Sequence, residues 1–476
     1  MAETVPFREP IIAGQAVLNK NQKLDLENII ENSTEFLAGE HAKVLEGVLC
    51  HIDKKIDEEG FMKASPTYTW YSAAWFRDSS MTSISMTDTA RFVSKYMPDR
   101  IDLYETARGS STRLIKFMWS VVGAKMQNLE MGLATDIRDE NFKKLRNHIP
   151  ARYGKDRGYF SVEELHHTDD TEDSKDSWLR QYDSLPLLLL ATERHLKEFG
   201  KAGIEQQLEF LKTNATKFIR YMIKTYKSPC SNAWEIENTK LHSYDVAAIA
   251  AGINSAINIA KATDAELDET AIREEIEKSY PGGPQAFMKQ LFIRDGVLYR
   301  AKEEKAVDVN GKIIFASEPL KEVESGQIFI FSLFGHDTGE TIENNTIRKL
   351  EEDMFRLDKE EQYRLIPKRF KNDTYFGGAP WPLLGAEFAY YYAKRGELEK
   401  SGKIIKYIED NLLSKNDFSI PEQESIDAAL LNPDPDNLLK NNGGKPIQDL
   451  IWSGAEYLRA LTAHAEALAL RLQVQK

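Results

Sequence analysis

Apolar residues recur at helical spacing along most of this chain. The clearest stripe is Val246, Ile249, Ala250, Ile253, Ala256, Ile257 and Ala260. Steps of three and four place all of them on one face of a helix. Trp381–Arg395 reads as another helix, with Pro382 suited to its first turn and Gly396 to its end. Leu450–Leu472 is a long, Ala- and Leu-rich terminal helix. The pattern predicts further helices over Gln22–Glu58, Ser79–Lys95, Arg108–Lys125, Ser177–Lys197 and Gln206–Lys227. Weaker ones are expected over Asp264–Ser279, Thr341–Leu357 and Glu397–Leu413. A chain of amphipathic helices with few strands has to bury its stripes by packing helix on helix.

Strand signals are short. Leu291–Ile293 and Val297–Arg300 flank Asp295-Gly296, a hairpin turn, and Ile313–Phe315 follows Asn310-Gly311, another. Polar loops are long at Ala151–Asp176 and Pro421–Pro446, and long loops in a compact domain often carry function. No composition break and no Pro/Ser linker divides the chain. The reading is therefore one all-helical domain of packed helical hairpins with small β excursions.

Composition removes some functions. With 476 residues and 42% hydrophobic content, a large core is possible. A net charge of -13, with basic residues scattered among acidic ones, argues against a nucleic-acid partner, because phosphate contacts need clustered Lys and Arg. Cys50 and Cys230 are too few for a disulfide framework or a thiolate zinc site. Met1–Pro10 lacks the pattern of a secretory signal, and no stretch approaches the ~18 consecutive apolar residues of a spanning helix. A soluble, cytoplasmic protein with no membrane partner is expected, with oligomeric state left open.

Two carboxylate motifs carry the chemistry. One is Ala233-Trp234-Glu235-Ile236-Glu237-Asn238, the other Ser419-Ile420-Pro421-Glu422-Gln423-Glu424. An acid beside an aromatic face is held protonated by burial, so Glu235 suits a general acid, with Glu237 close enough to reinforce it. Glu422 follows a backbone-fixing proline and precedes an amide able to orient water. An inverting glycosidase needs such a pair, about 6.5–9.5 Å apart, the base ionised. Glu235 is therefore expected to titrate high and Glu422 low. Arg77-Asp78 and Arg369 offer a rigid donor fork and an acceptor for neutral hydroxyl groups. Singly, each motif also fits a blander role. The glutamates fit solvated loop or helix-start acids, the arginines ion pairs between helices. Trp119, Trp381 and Trp452 read as core packing. The run His166–Asp173 matches no metal-ligand spacing and reads as an acidic loop leading into a helix N-terminus. Asp308-Val309-Asn310-Gly311 reads as a hairpin turn rather than a calcium loop. No metal or cofactor is expected.

Taken together and in order, these segments resemble glycoside hydrolase family 15, the glucoamylase, glucodextranase and trehalase group. Tyr71 to Asp78 resembles its first substrate segment, with Trp75-Phe76-Arg77-Asp78 as Trp-x-Arg-Asp. Gln181-Tyr182-Asp183 resembles its Gln-x-Asp, Trp234-Glu235 its acid segment, Arg369 to Trp381 its Arg-Tyr-x-x-Asp-x-Tyr…Gly-x-Pro-Trp, Ile420 to Gln423 its base segment, and Leu450 to Ser453 its closing helix. The resemblance spans residues ~65 to ~460. It implies an (α/α)6 barrel over residues 1–476, with inversion at the anomeric carbon. Glu235 would be the acid and Glu422 the base. Arg77, Asp78 and Arg369 would hold a terminal glucose, and Tyr71 the attacking water. Trp75, Gln181, Asp183, Trp234, Glu237 and Trp381 would complete the substrate site.

The sequence departs from relatives in three places. No room precedes Trp75 for their N-terminal β-sandwich, and no carbohydrate-binding module is recognisable. Trp-Glu-Ile-Glu stands where relatives often have Trp-Glu-Glu or Trp-Glu-x-Arg, which touches the second carboxylate and the subsite beyond the scissile bond. Ser184-Leu185-Pro186 replaces the usual Gly after Gln-x-Asp. The leading expectation is an exo-acting α-glucosidase on α-glucans or malto-oligosaccharides. A trehalase or an α-1,6-specific enzyme would use the same machinery. A silent glucan-binding domain, as in the large subunits of phosphorylase kinase, would need neither Glu235 nor Glu422.

Overall fold

The computed structural model describes residues 39–474 except 68–70, 136–147, 150, 156–158, 161–166, 169–180, 236–238, 308–312, 357–362, 428–429 and 435–437. Within these, helix α1 (Glu40–Lys55) leads into α2 (Phe76–Tyr96), and the chain returns through α3 (Ile101–Ala124) and short α4 (Met126–Ala134). This in-and-out step repeats. It runs through α5 (Ser184–Phe199) and α6 (Glu205–Thr225), then α7 (Ser243–Ala262) with α8 (Glu269–Ser279) and α9 (Gly283–Phe292). Next come α10 (Ile328–Ser332) and α11 (Glu340–Met354), then α12 (Pro382–Lys394) and α13 (Leu398–Asn411). Short α14 (Leu438–Asn441) precedes the last long helix, α15 (Ile451–Val474).

Helix contacts close this series into a ring. α2 packs on α5, α5 on α7, α7 on α10, α10 on α12, α12 on α15, and α15 back on α2. The returning helices, with α1, lie outside. The molecule is an all-α (α/α)6 barrel. Sequence explains which helix goes where. Every residue of α12 from Pro382 to Ala393 is buried, as is nearly all of α7, as inner positions require. Outer α13 buries only Leu398, Ser401, Ile404, Ile405 and Ile408, a stripe at three- and four-residue spacing. Gly252 lets α7 approach α5 closely, since a Cβ there would lie 2.6 Å from the Pro186 Cα.

An ion network ties four inner helices together. Arg459, fully buried on α15, meets Glu456 at 2.8 Å and Glu387 of α12 at 2.9 Å, and lies 3.9 Å over the Tyr390 ring. Asp88 of α2, 3.8 Å from Arg459, also meets Arg194 of α5 at 2.9 Å.

Small strands decorate the barrel. β1 (Ala74–Trp75), β2 (Arg152–Tyr153), β3 (Tyr159–Phe160) and β4 (His167–Thr168) form an antiparallel sheet that the sequence does not announce. Apart from β4, the acidic run His166–Asp173 lies outside the described residues. β5 (Lys240–His242) belongs to a second sheet. The expected Asp295-Gly296 hairpin is present between β6 (Ile293–Arg294) and β7 (Val297–Leu298), with Ile293 opposite Leu298. Both turn residues have positive φ, 52° and 74°, as a tight hairpin turn requires. β8 (Ala301–Val307) pairs with both β5 and β9 (Ile313–Phe315). Among the described residues, no helix is long and apolar enough to cross a membrane, and Cys50 and Cys230 form no disulfide.

Candidate active site

The inner helices direct their N-termini toward one end of the ring. Arg77, in the first turn of α2, reaches Asp183 at the start of α5, and Tyr244, in the first turn of α7, donates to the same Asp183 oxygen at 3.2 Å. Trp381 caps α12 and packs on Trp234, with ring centroids 5.7 Å apart. Ala64, upstream of α2, accepts from the first amide of α15 at Ile451. Helix N-termini carry partial positive charge, so this end of the barrel favours anionic groups. Most of the expected site residues lie here.

Glu235 sits on a tight turn. Its φ is 63°, a left-handed value that is uncommon away from glycine and persists where the surroundings impose it. The surroundings are specific. The Asn232 carbonyl accepts from the Glu235 amide at 2.9 Å, and Asn232 Oδ1 accepts from the Trp234 amide at 2.9 Å. Asn232 Nδ2 donates to Glu324 at 3.1 Å, and Arg77 Nη1 donates to the Ala233 carbonyl at 2.9 Å. Burial raises the Glu235 pKa, while Arg77, a hydrogen bond from Gln181, Arg152 and Arg369 pull it down. Glu237 lies outside the described residues.

Glu422 comes from the loop between α13 and α14. Its amide donates to the Ile447 carbonyl at 2.9 Å. The Tyr71 hydroxyl donates to Glu422 Oε1 at 2.6 Å and shares a 2.8 Å hydrogen bond with the Tyr375 hydroxyl. Glu422 is 1% exposed. Its expected low pKa is not what the structure yields: burial pushes it up to about 8. The Tyr71 hydrogen bond and Arg369 pull it down without cancelling burial, and Asp78 and Glu235 push it further up. Asp78 is likewise pushed up to about 7, by burial first and by Glu235, against the pull of Arg77. Glu235, Glu422 and Asp78 therefore sense one another's charge from three distant parts of the chain.

Arginines and aromatic rings complete the walls. Arg369 is held bidentately by Asp373, Nε and Nη2 each at 2.7 Å, and lies 4.7 Å from both the Tyr375 and Trp381 rings and 5.8 Å from Trp234. Trp75 packs edge-on against Tyr71 and lies 5.6 Å from the Arg152 guanidinium. Trp119 and Trp452 are core, as expected: Trp119 bonds Thr192 at 2.9 Å, and Trp452 bonds Glu456 and stacks on Phe329. Trp381 is equally buried but belongs to the site wall.

One further expectation needs correction. Gln423 does not face the site as a water-positioning amide. Its Nε2 donates to the Tyr375 and Ala379 carbonyls at 3.1 and 3.4 Å, tying the Glu422 segment to the Arg369–Trp381 loop. Arg77 spans from α2 to Asp183 at the start of α5 (2.8 Å) and to Gln181 (2.6 Å), the ion pair between helices that was its alternative role. Several residues escaped the sequence reading. Asn232 and Glu324 hold the Glu235 turn. Asp245 lies among Asp183, Arg77 and Glu324, with burial pushing its pKa well up. Only Asp373 and Tyr375 left a signal, through the Arg-x-x-x-Asp-x-Tyr spacing. Among the described residues, no cluster of His, Cys, Asp and Glu is arranged to hold a metal ion.

Comparison with known proteins bears on this geometry. No family model and no curated protein sequence matches the chain. Solved structures do. The glucoamylase from Saccharomycopsis fibuligera aligns with a TM-score of 0.56 at 14% identity, covering 94% of this chain and 96% of that one. The fold is that of a glucoamylase. A wild-type glycosidase aligns at TM-score 0.62 and 18% identity, covering 95% of this chain and 99% of that one. A variant glycosidase in complex with glucose aligns over the same spans at 0.63. At these identities the likeness is one of fold, and it extends over nearly the whole glucoamylase domain.

Proposed function

We propose that this chain is an inverting, exo-acting α-glucosidase of the glycoside hydrolase family 15 type, releasing β-glucose from the non-reducing ends of α-glucans or malto-oligosaccharides. The observation that carries this reading is the Tyr71–Glu422 hydrogen bond of 2.6 Å in a cradle where Glu422 also senses Glu235 and Arg369. A buried carboxyl that accepts from a tyrosine hydroxyl, with a second carboxyl near enough to raise its pKa, supports acid–base cleavage of a glycosidic bond. The glycosidase and glucose-bound neighbours in fold support a sugar substrate.

In this reading Glu235 gives its proton to the glycosidic oxygen as the bond to the anomeric carbon breaks. Water adds to the opposite face of that carbon and passes a proton to Glu422. Each turnover leaves Glu235 ionised and Glu422 protonated, and transfer through solvent restores both. The positive ends of the inner helices, Arg77 and Arg369 stabilise the carboxylate forms. Asp78 and Arg369 hold hydroxyl groups of the terminal sugar, and Trp75, Trp234, Tyr375 and Trp381 form its apolar walls.

Incubation with maltotriose, isomaltose and trehalose, with glucose as readout, tests the proposal and sets the linkage. Glucose from maltotriose, abolished in Glu235→Gln and Glu422→Gln, is expected. A folded protein that releases glucose from none of the three, yet binds maltotriose, would be a glucan-binding domain instead.

A further inference from the structure

The resemblance places Gln181 among the substrate contacts, yet its surroundings give it another task. A guanidinium carries only N–H donors, so the Gln181 atom that meets Arg77 Nη2 at 2.6 Å has to be its carbonyl oxygen. That interaction settles which way the amide faces. The NH2 end is left for another acceptor, and a hydrogen bond from Gln181 is among the influences that lower the Glu235 pKa against burial. Arg77 cannot turn away to release the amide. Its Nε is held by Asp183 at 2.8 Å and its Nη1 by the Ala233 carbonyl at 2.9 Å, and Asp183 is braced by the Tyr244 hydroxyl at 3.2 Å. Arg77 and Gln181 are 4% and 3% exposed, so little solvent competes. One guanidinium thus holds both the peptide that precedes the Trp234–Glu235 turn and the amide that meets the Glu235 side chain.

We propose that Gln181 is a positioning residue for Glu235: its amide, oriented by Arg77, donates to one carboxyl oxygen of Glu235 and so confines the acidic proton to the other. This rests on the reading of Glu235 as the general acid. A carboxylic acid accepts a hydrogen bond at its carbonyl oxygen and carries its proton on the hydroxyl oxygen. Occupying one oxygen with a permanent donor removes the alternative tautomer and aims the proton in one direction. The same donor stabilises the carboxylate left after proton transfer, opposing the effect of burial. A substrate contact would do neither.

The test is Gln181→Glu. This keeps an oxygen toward Arg77 at nearly the same volume but replaces the donor facing Glu235 with an acceptor. Loss of the donor and gain of a negative charge both disfavour ionised Glu235. Its titration is followed in the substrate-free protein by carbon-13 NMR of labelled glutamate carboxyls, with Glu235→Gln to assign the signal. An upward move of about 1 or more on the pH scale is expected. With maltotriose, kcat should fall about tenfold with KM within about twofold, and the alkaline limb of the profile should move up in parallel. Arg77→Lys, which frees the amide to rotate, should move the Glu235 titration the same way. In the unmodified protein, the Gln181 side-chain NH2 resonance should follow the Glu235 midpoint, a readout that needs no variant. An unmoved Glu235 titration, an NH2 resonance that ignores it, or a raised KM at unchanged kcat would overturn the proposal. A titration that moves in a protein releasing no glucose would uphold the coupling and remove the hydrolytic reading.

Discussion

Tyr71→Phe isolates the link between Tyr71 and Glu422. The variant keeps the ring that packs edge-on against Trp75 and removes only the hydroxyl that donates to Glu422 at 2.6 Å. A hydrogen bond to a charged group is worth ~1.5–3 kcal/mol, which corresponds to a displacement of about 1–2 on the pH scale. The sign follows from the donor's preference for the ionised acceptor: losing it raises the Glu422 pKa above its already elevated value of about 8. At pH 7 about one Glu422 in ten is ionised in the unmodified protein, and about one in a hundred or fewer in the variant. The rate of kcat/KM on maltotriose at pH 7 should therefore fall about 10- to 100-fold through ionisation alone. That part should be recovered as pH rises beyond the new midpoint. The assay is the acidic limb of the pH profile in both proteins. A lower plateau with an unmoved limb would mean that Tyr71 acts on water or sugar alone, and the argument from the short hydrogen bond would fail.

Two further outcomes concern stability. Glu422 binds its proton more tightly folded than unfolded, so its contribution is fully present below the ordinary carboxylate value of 4.5 and is lost as pH rises toward 8. Glu422→Gln should accordingly be more stable than the unmodified protein at pH 9, by roughly 3–5 kcal/mol in urea unfolding, with the gap closing below pH 4.5; equal stability at both pH values would refute it. Arg459→Met should lose about 3–5 kcal/mol by leaving buried Glu387 and Glu456 without their shared cation, and a loss below about 1 kcal/mol would show that the network is dispensable.

Most of the long helices were legible from apolar residues at helical spacing, although the inner ones bury almost every face. Pro382 and Gly396 even marked the ends of α12 to within a residue or two. α10 was not, because Ile328-Phe329-Ile330-Phe331 alternates bulky and β-branched residues in a strand-like run. Its helical start comes from the reciprocal capping of Glu324 and Gln327, a side-chain and backbone arrangement. The sheet of β1–β4 uses segments of two residues, too short to show a period. At the site, the two glutamates and the two arginines stood out by residue type and order. Their actual partners did not. The Arg77–Asp183 pair joins residues 106 apart, and Tyr71–Glu422 joins residues 351 apart. The high pKa of Glu422 was hidden for a related reason. Its cause is burial by the closed ring, which no local motif records.

The central claim is that Glu235 and Glu422 act as acid and base in a single direct displacement by water. Proton NMR during the first minutes of maltotriose digestion measures this most directly, because the two anomers of released glucose give separate signals before mutarotation mixes them. The account predicts β-glucose first, with α-glucose growing in only at the mutarotation rate. Initial α-glucose would mean a covalent intermediate on one of the two glutamates and would contradict the inverting assignment.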